Sequence, residues 1–118
     1  MIALLILMGG AFGAVLRYVL DTAVKKRAGK AFPWGTLTVN VLGAGILGAL
    51  HGASVGTDSE ALLGTGFCGA LTTFSTFELD TVHLFQDGRF LRGAVNVVAS
   101  LGLGLLAFTL LHALFRWV

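Results

Sequence analysis

Gly66-Phe67-Cys68-Gly69-Ala70-Leu71-Thr72-Thr73-Phe74-Ser75-Thr76-Phe77-Glu78 is the stretch on which the fold turns. It lies inside a long apolar run, Ala61 to about Phe85. Yet it crowds hydroxyls at Thr72, Thr73, Ser75 and Thr76, and Gly64, Gly66 and Gly69 precede them. A glycine inside a helix costs about 1 kcal/mol relative to alanine. In lipid, hydroxyls can bond backbone groups that a helix has released. Together these features point to a helix that breaks near mid-membrane. Lipid tolerates such a break only where the freed backbone is buried in protein or lines a water-filled cavity. Freed carbonyls at that depth can coordinate a cation. The alternative is an intact helix whose hydroxyls bond back to its own carbonyls.

Three further apolar runs flank this one. The first is Ile2 to Leu20, with Arg17 near its end, followed by a polar stretch from Asp21 to Lys30. The second runs from about Trp34 to Ala53, with Pro33 placed where proline suits a helix start. A short polar turn, Ser54 to Glu60, leads into the third run. The tight connection Gln86 to Arg89 leads into the fourth, Phe90 to about Trp117. A span needs about 20 apolar residues, so each run is long enough to cross a bilayer. The first lacks a positive leading segment and reads as a retained helix rather than a cleaved signal. The chain therefore reads as an all-α integral membrane protein. It forms one four-helix transmembrane unit over residues 1–118, its third helix either broken near mid-membrane or intact with back-bonded hydroxyls.

Composition agrees with that class. Of 118 residues, 56% are hydrophobic and only 12% charged, against about a quarter charged in soluble domains. Too little polar surface exists to coat a water-soluble globule. The net charge of +2 comes from Lys and Arg spread over loops. They form no basic stripe of the kind nucleic acid requires. The single cysteine, Cys68, excludes an internal disulfide, and its apolar setting points to packing. His51, His83 and His112 show no metal-ligand spacing.

Four spans put both termini on one face. The other face collects Lys25, Lys26, Arg27, Lys30, Arg89 and Arg92, whereas the terminal face has only Arg116. The positive-inside rule then predicts both termini outside. Seventeen glycines against one proline fit closely packed spans. Gly9 with Gly13, the series Gly43, Ala44, Gly45, Gly48 and Ala49, and Gly102 with Gly104 mark candidate close approaches. Four thin helices enclose little interior, so an oligomer is expected on size alone.

Polar groups within the spans are the candidate functional residues. Asn40 lies deep in the second run, and Asn96 and Ser100 lie four apart in the fourth. They read either as interhelical glue or as neutral donors along an ion path, suited to an anion that must bind and then leave. Phe74 and Phe77 share a helix face. Their rings either pack or present positive edges to an anion. Glu78 and Asp80 read as carboxylates near the membrane surface.

Gly9-Gly10-x-x-Gly13-Ala14-x-x-Arg17, Gly35-Thr36-Leu37-Thr38-Val39-Asn40 and Gly66-Phe67-x-Gly69-x-x-Thr72-Thr73-Phe74-Ser75-Thr76-Phe77 together resemble the Fluc (CrcB) family of fluoride channels. The resemblance covers nearly the whole chain, and the Thr-Thr-Phe-Ser-Thr-Phe block is its most specific part. It implies an antiparallel dimer with two narrow pores in the cell membrane. The pairing is with a second copy or with a paired homologous subunit. It implies that Phe74 and Phe77 line the fluoride path with ring edges, that Asn40 is the pore asparagine, and that Thr76 belongs to the pore lining. Ser100 matches a hydroxyl of a polar track on the fourth helix. Asn96 falls where other members have tyrosine, a departure that leaves an amide donor in the track. Arg17 matches a basic residue near the pore entrance. Gly69 and Thr72 match positions whose backbone carbonyls hold a structural sodium ion. The implied activity is passive fluoride efflux: HF enters acidified cells, ionises and is trapped, and the channel releases the anion.

A proton-coupled exporter of the small four-helix multidrug type is the main rival. It requires a carboxylate near the middle of the first span, and none occurs from Met1 to Leu20. No phosphate-binding loop, nucleophile elbow or zinc motif supports an enzyme. A purely structural subunit would not require the cluster of hydroxyls and phenylalanines.

Overall fold

The computed structural model describes residues 1–117, and secondary structure among them is entirely helical. Helix α1 is Ile2–Ala28 and α2 is Trp34–Gly52. Helix α3 covers residues 57–71, in which a π-helix, Glu60–Cys68, is flanked by α-helical turns at Thr57–Ser59 and Gly69–Leu71. Helix α4 is Phe74–Gln86 and α5 is Phe90–Phe115. Three of these, α1, α2 and α5, are long and apolar enough to cross a membrane. In series, α3 and α4 make the fourth member of the bundle. Leu7, Phe12, Val98, Leu101 and Leu105 are exposed, while the fully buried large side chains are Val39, Leu71 and Asn96. Such a surface suits lipid rather than water.

Helix α1 continues past the expected end at Leu20 to Ala28. Within this polar stretch Asp21 and Lys25 pair at 3.1 Å one turn apart, which adds modest support to the helix. In addition, Lys25, Lys26 and Arg27 complement the negative end of the helix dipole. The chain leaves the helix at Gly29, whose φ of 82° suits glycine.

Two pairs of helices meet backbone to backbone. On α2, a Cβ at Gly48 or Gly52 would strike the carbonyls of Phe108 and His112 on α5. On α1, a Cβ at Gly9 or Gly13 would strike the carbonyls of Leu62 and Phe67 on α3. The glycines are four apart in both cases. Their seats are four apart on α5 but five apart on α3, as the wider π-helical turn allows. Gly102 faces open space, and Gly104 meets only the Ala44 methyl at 4.0 Å. Gly102 and Gly104 are therefore not where α5 meets α2 most closely. The carbonyl surface at Phe108 and His112 takes that role, because only the partner helix must be bare for backbones to touch.

Between α3 and α4 the chain leaves helical geometry. Thr72 has φ −80° and ψ 159°, and Thr73 has φ −149° and ψ 123°, both extended.

Candidate functional site

Two extended residues interrupt the helical hydrogen-bond ladder, so their backbone groups need other partners. Asn40 of α2 supplies two. The Thr73 N–H donates to Asn40 Oδ1 at 2.7 Å, and Asn40 Nδ2 donates to the Thr73 carbonyl at 3.0 Å. In a continuous helix the Thr73 N–H would go to the Gly69 carbonyl. Here that carbonyl is released. Thr72 turns its hydroxyl to the Cys68 carbonyl at 2.8 Å, which also accepts the Thr72 N–H. Gly43 leaves room for the Thr72 methyl group, since a Cβ there would collide with it.

Thr73 also starts α4. Its Oγ1 accepts from the Thr76 N–H at 3.3 Å and donates to Thr76 Oγ1 at 3.2 Å, a side-chain cap of the usual threonine kind. From that start, helical phase sorts the side chains into two stripes. Phe74, Phe77 and Thr81 form one, and the phenylalanine centroids lie 5.8 Å apart with rings tilted by 40°. Phe74 is 69% exposed. Thr73, Thr76 and Asp80 fall on the adjacent stripe.

A chain of hydrogen bonds continues from the first stripe. Thr81 donates to the Phe77 carbonyl at 2.8 Å, and Asn96 Nδ2 donates to Thr81 Oγ1 at 2.8 Å. The Ser100 hydroxyl lies 3.5 Å from Asn96 Oδ1. Asn96 is fully buried, so this pairing meets a need that lipid and apolar neighbours cannot.

On the second stripe, Asp80 accepts a hydrogen bond of 2.9 Å from buried Thr36. Thr36 and Asp80 therefore join the polar interior, a role the sequence reading did not assign. The signal was present in the spacing, because Asp80 lies one turn beyond Thr76 on the hydroxyl face. Glu78, by contrast, is exposed.

These groups border two concavities. A cavity of about 240 Å³ is lined by Arg17, Tyr18, Asp21, Thr36, Thr73 and Thr76 among others. It brings Arg17 and Thr76 together. One oxygen of Asp21 pairs with Lys25, and the other is buried against Gly35 without a hydrogen-bond partner. The second carboxylate oxygen thus sits beside the first turn of α2, where the helix dipole favours negative charge. A larger groove of about 570 Å³ also opens at the interruption. Asn40, Gly69, Thr72, Thr73 and Phe74 border it, and it extends to His51 and Glu60. Thr73 borders both concavities. Among the described residues, no group of three or more His, Cys, Asp or Glu side chains is arranged to hold a metal. A cation at the interruption would rely on carbonyl oxygens.

Residues 4–111 match the family described as CrcB-like protein, Camphor Resistance (CrcB). Among curated relatives, Fluoride-specific ion channel FluC 1 of Nocardia farcinica is 46% identical over 114 residues, covering 97% of this chain and 80% of that protein. Fluoride-specific ion channel FluC 1 of Streptomyces avermitilis is 49% identical over 106 residues, covering 86% of each. Fluoride-specific ion channel FluC 2 of Mycobacterium tuberculosis (strain ATCC 25618 / H37Rv) is 45% identical over 102 residues, covering 86% of this chain and 81% of that protein.

Proposed function

The chain belongs to the CrcB family, and from that membership we propose how its residues carry fluoride across a membrane. It is a fluoride-specific ion channel, not an enzyme. Its apolar helices make it a membrane protein, and the cell membrane is the location that gives efflux a purpose. Residues 57–86 act as one interrupted span, so the subunit crosses the membrane four times.

Fluoride is drawn toward the Arg17 cavity and meets the hydroxyl of Thr76. It then passes the ring edges of Phe74 and Phe77, whose positive rims attract an anion without a full charge. Asn40 has a second amide hydrogen beyond the one given to Thr73, and that hydrogen is free to face the ion. Asn96 and Ser100 continue the neutral track. With no lysine on this route, fluoride is held weakly enough to leave. Flow is passive and follows the electrochemical gradient, which protects a cell that has trapped fluoride from HF.

The observation that carries this mechanism is the common stripe of Phe74, Phe77 and Thr81 beside the interruption at Thr72 and Thr73. Expression in cells stripped of fluoride exporters tests the physiology. Growth in acidic fluoride medium is the expected result when the homologous partner is co-expressed, and growth no better than that of empty-vector cells contradicts it.

Gly69 and Thr72 are the residues that would hold a structural sodium ion. Support comes from the chemistry of the donors: neutral carbonyl oxygens suit a hard monovalent cation. The Gly69 carbonyl has lost its helical partner to Asn40. When bound, sodium supplies a fixed positive charge that ties backbone segments together. Gly69 and Thr72 border an open groove, so a second subunit, antiparallel to the first, completes the site. The six-to-one charge bias between the two faces favours one insertion direction with both termini outside. It therefore favours an oppositely inserted homologous partner over a second copy. Labelling a C-terminal cysteine tag from each side of the membrane tests this, and equal labelling from both sides would overturn it.

A further inference from the structure

We propose that Asn40 is the positioning residue that holds the helix interruption open and keeps the Gly69 carbonyl available to a cation, an inference that rests on the sodium reading above. Two backbone atoms compete for one partner at this place. The Thr73 N–H can go back to the Gly69 carbonyl, as in a continuous helix, or sideways to the side chain of Asn40. It goes to Asn40 Oδ1 at 2.7 Å. The same amide closes the pairing by donating to the Thr73 carbonyl at 3.0 Å. Asparagine is the short side chain that carries a donor and an acceptor in one plane. It can face an extended residue as a neighbouring strand would, bonding both its N–H and its C=O.

The surroundings demand that pairing. Thr73 is part-buried between two concavities, and an unpaired N–H or C=O inside a membrane is costly. Thr72 is committed elsewhere, with its N–H and hydroxyl both on the Cys68 carbonyl. The Thr73 hydroxyl is committed to capping α4. Among the described residues no other side chain bonds the Thr73 backbone, so losing Asn40 leaves the helical bond to Gly69 as the nearest remedy. That remedy consumes the oxygen a cation needs. It also straightens the junction that presents Phe74 and Phe77.

The test measures the sodium dependence of thermal unfolding of the purified full-length chain, with N-methylglucamine as the replacement cation. It is paired with fluoride efflux and with hydrogen exchange of the segment 72–77. For the native sequence, sodium raises the unfolding midpoint. In Asn40→Leu the sodium-dependent shift disappears and exchange over 72–77 changes. Efflux falls about tenfold or more, because both hydrogen bonds to the Thr73 backbone are lost together with the amide donor to fluoride. Asn40→Asp keeps the acceptor for the Thr73 N–H, so it retains the sodium shift while its charge suppresses efflux. Phe77→Ile lowers efflux about tenfold and keeps the shift.

A full sodium shift in Asn40→Leu overturns the proposal and leaves Asn40 as a donor to fluoride only. Should Asn40→Leu fail to fold, loss of the shift in Asn40→Asp overturns it equally. Absence of any sodium shift in the native chain removes the sodium reading and this proposal together. Intact efflux in the same preparation would leave the fluoride reading standing.

Discussion

Helices α2 and α5 meet in the same manner as α1 and α3, through a pair of glycines on one helix set against carbonyls of the other. The difference lies in the receiving helix. Phe108 and His112 lie one regular turn apart, and α5 runs unbroken from Phe90 to Phe115. Leu62 and Phe67 lie one widened turn apart, and α3 ends at Leu71 in extended backbone. The regular pair keeps its peptide groups bonded within each helix and serves as scaffold. The widened pair clamps a helix whose far end releases peptide groups, and the released groups are the ones proposed to meet a cation. Close glycine packing on α1 thus anchors the less regular span, and Asn40 of the regular pair reaches across to hold its end.

Five substitutions break or sharpen this contrast. The largest effect is expected in the scaffold. Gly48→Val drives a side chain into the Phe108 backbone, which cannot rotate away, and should cost about 3 kcal/mol or prevent folding. Detergent-resistant folding and the unfolding midpoint measure it. At the interruption the loss should appear in transport instead. Phe74→Ile or Phe77→Ile removes an aromatic edge, and fluoride efflux should drop about tenfold for each at nearly unchanged midpoint. Asn96→Leu leaves Thr81 without its buried donor. It should lower stability by about 1 kcal/mol in denaturant titration, the usual scale for a polar contact in a membrane protein. Gly102→Ala marks the small end of the range. Its Cβ meets open space, so the midpoint should hold or rise, by at most about 1 kcal/mol.

Much of this was legible in the sequence. Apolar runs located α1, α2 and α5, because span length and hydropathy are properties of the chain itself. Gly9, Gly13 and Gly48 were legible as contact points, since bare backbone is written as glycine. Gly102 was misleading for the same reason: a glycine reports permission to approach, not the presence of a neighbour. The end of α1 was placed too early because charge was read as loop. Helix α1 instead continues beyond the apolar run, and the pair Asp21 and Lys25 adds modest support there. The π-helical widening of α3 had no residue signature apart from Gly64 and Gly66. It becomes visible only through the five-residue spacing of its contacts with α1.

At the candidate site, the hydroxyls and phenylalanines announced themselves by composition. Asp80 was read only by its place near the membrane surface, and no partner was assigned to it. Its bond to Thr36 spans two helices and lies beyond any local pattern. The pairing of Asn40 with Thr73 is of the same long-range kind.

Fluoride efflux from liposomes containing this chain alone, followed with a fluoride electrode against a chloride control, tests the central claim most directly. Rapid fluoride release with chloride retained, from this chain alone or once its homologous partner is added, is the predicted result. If one orientation dominates, that release appears only when the oppositely inserted partner is added. Chloride release at a rate equal to fluoride, with or without the partner, would contradict the account.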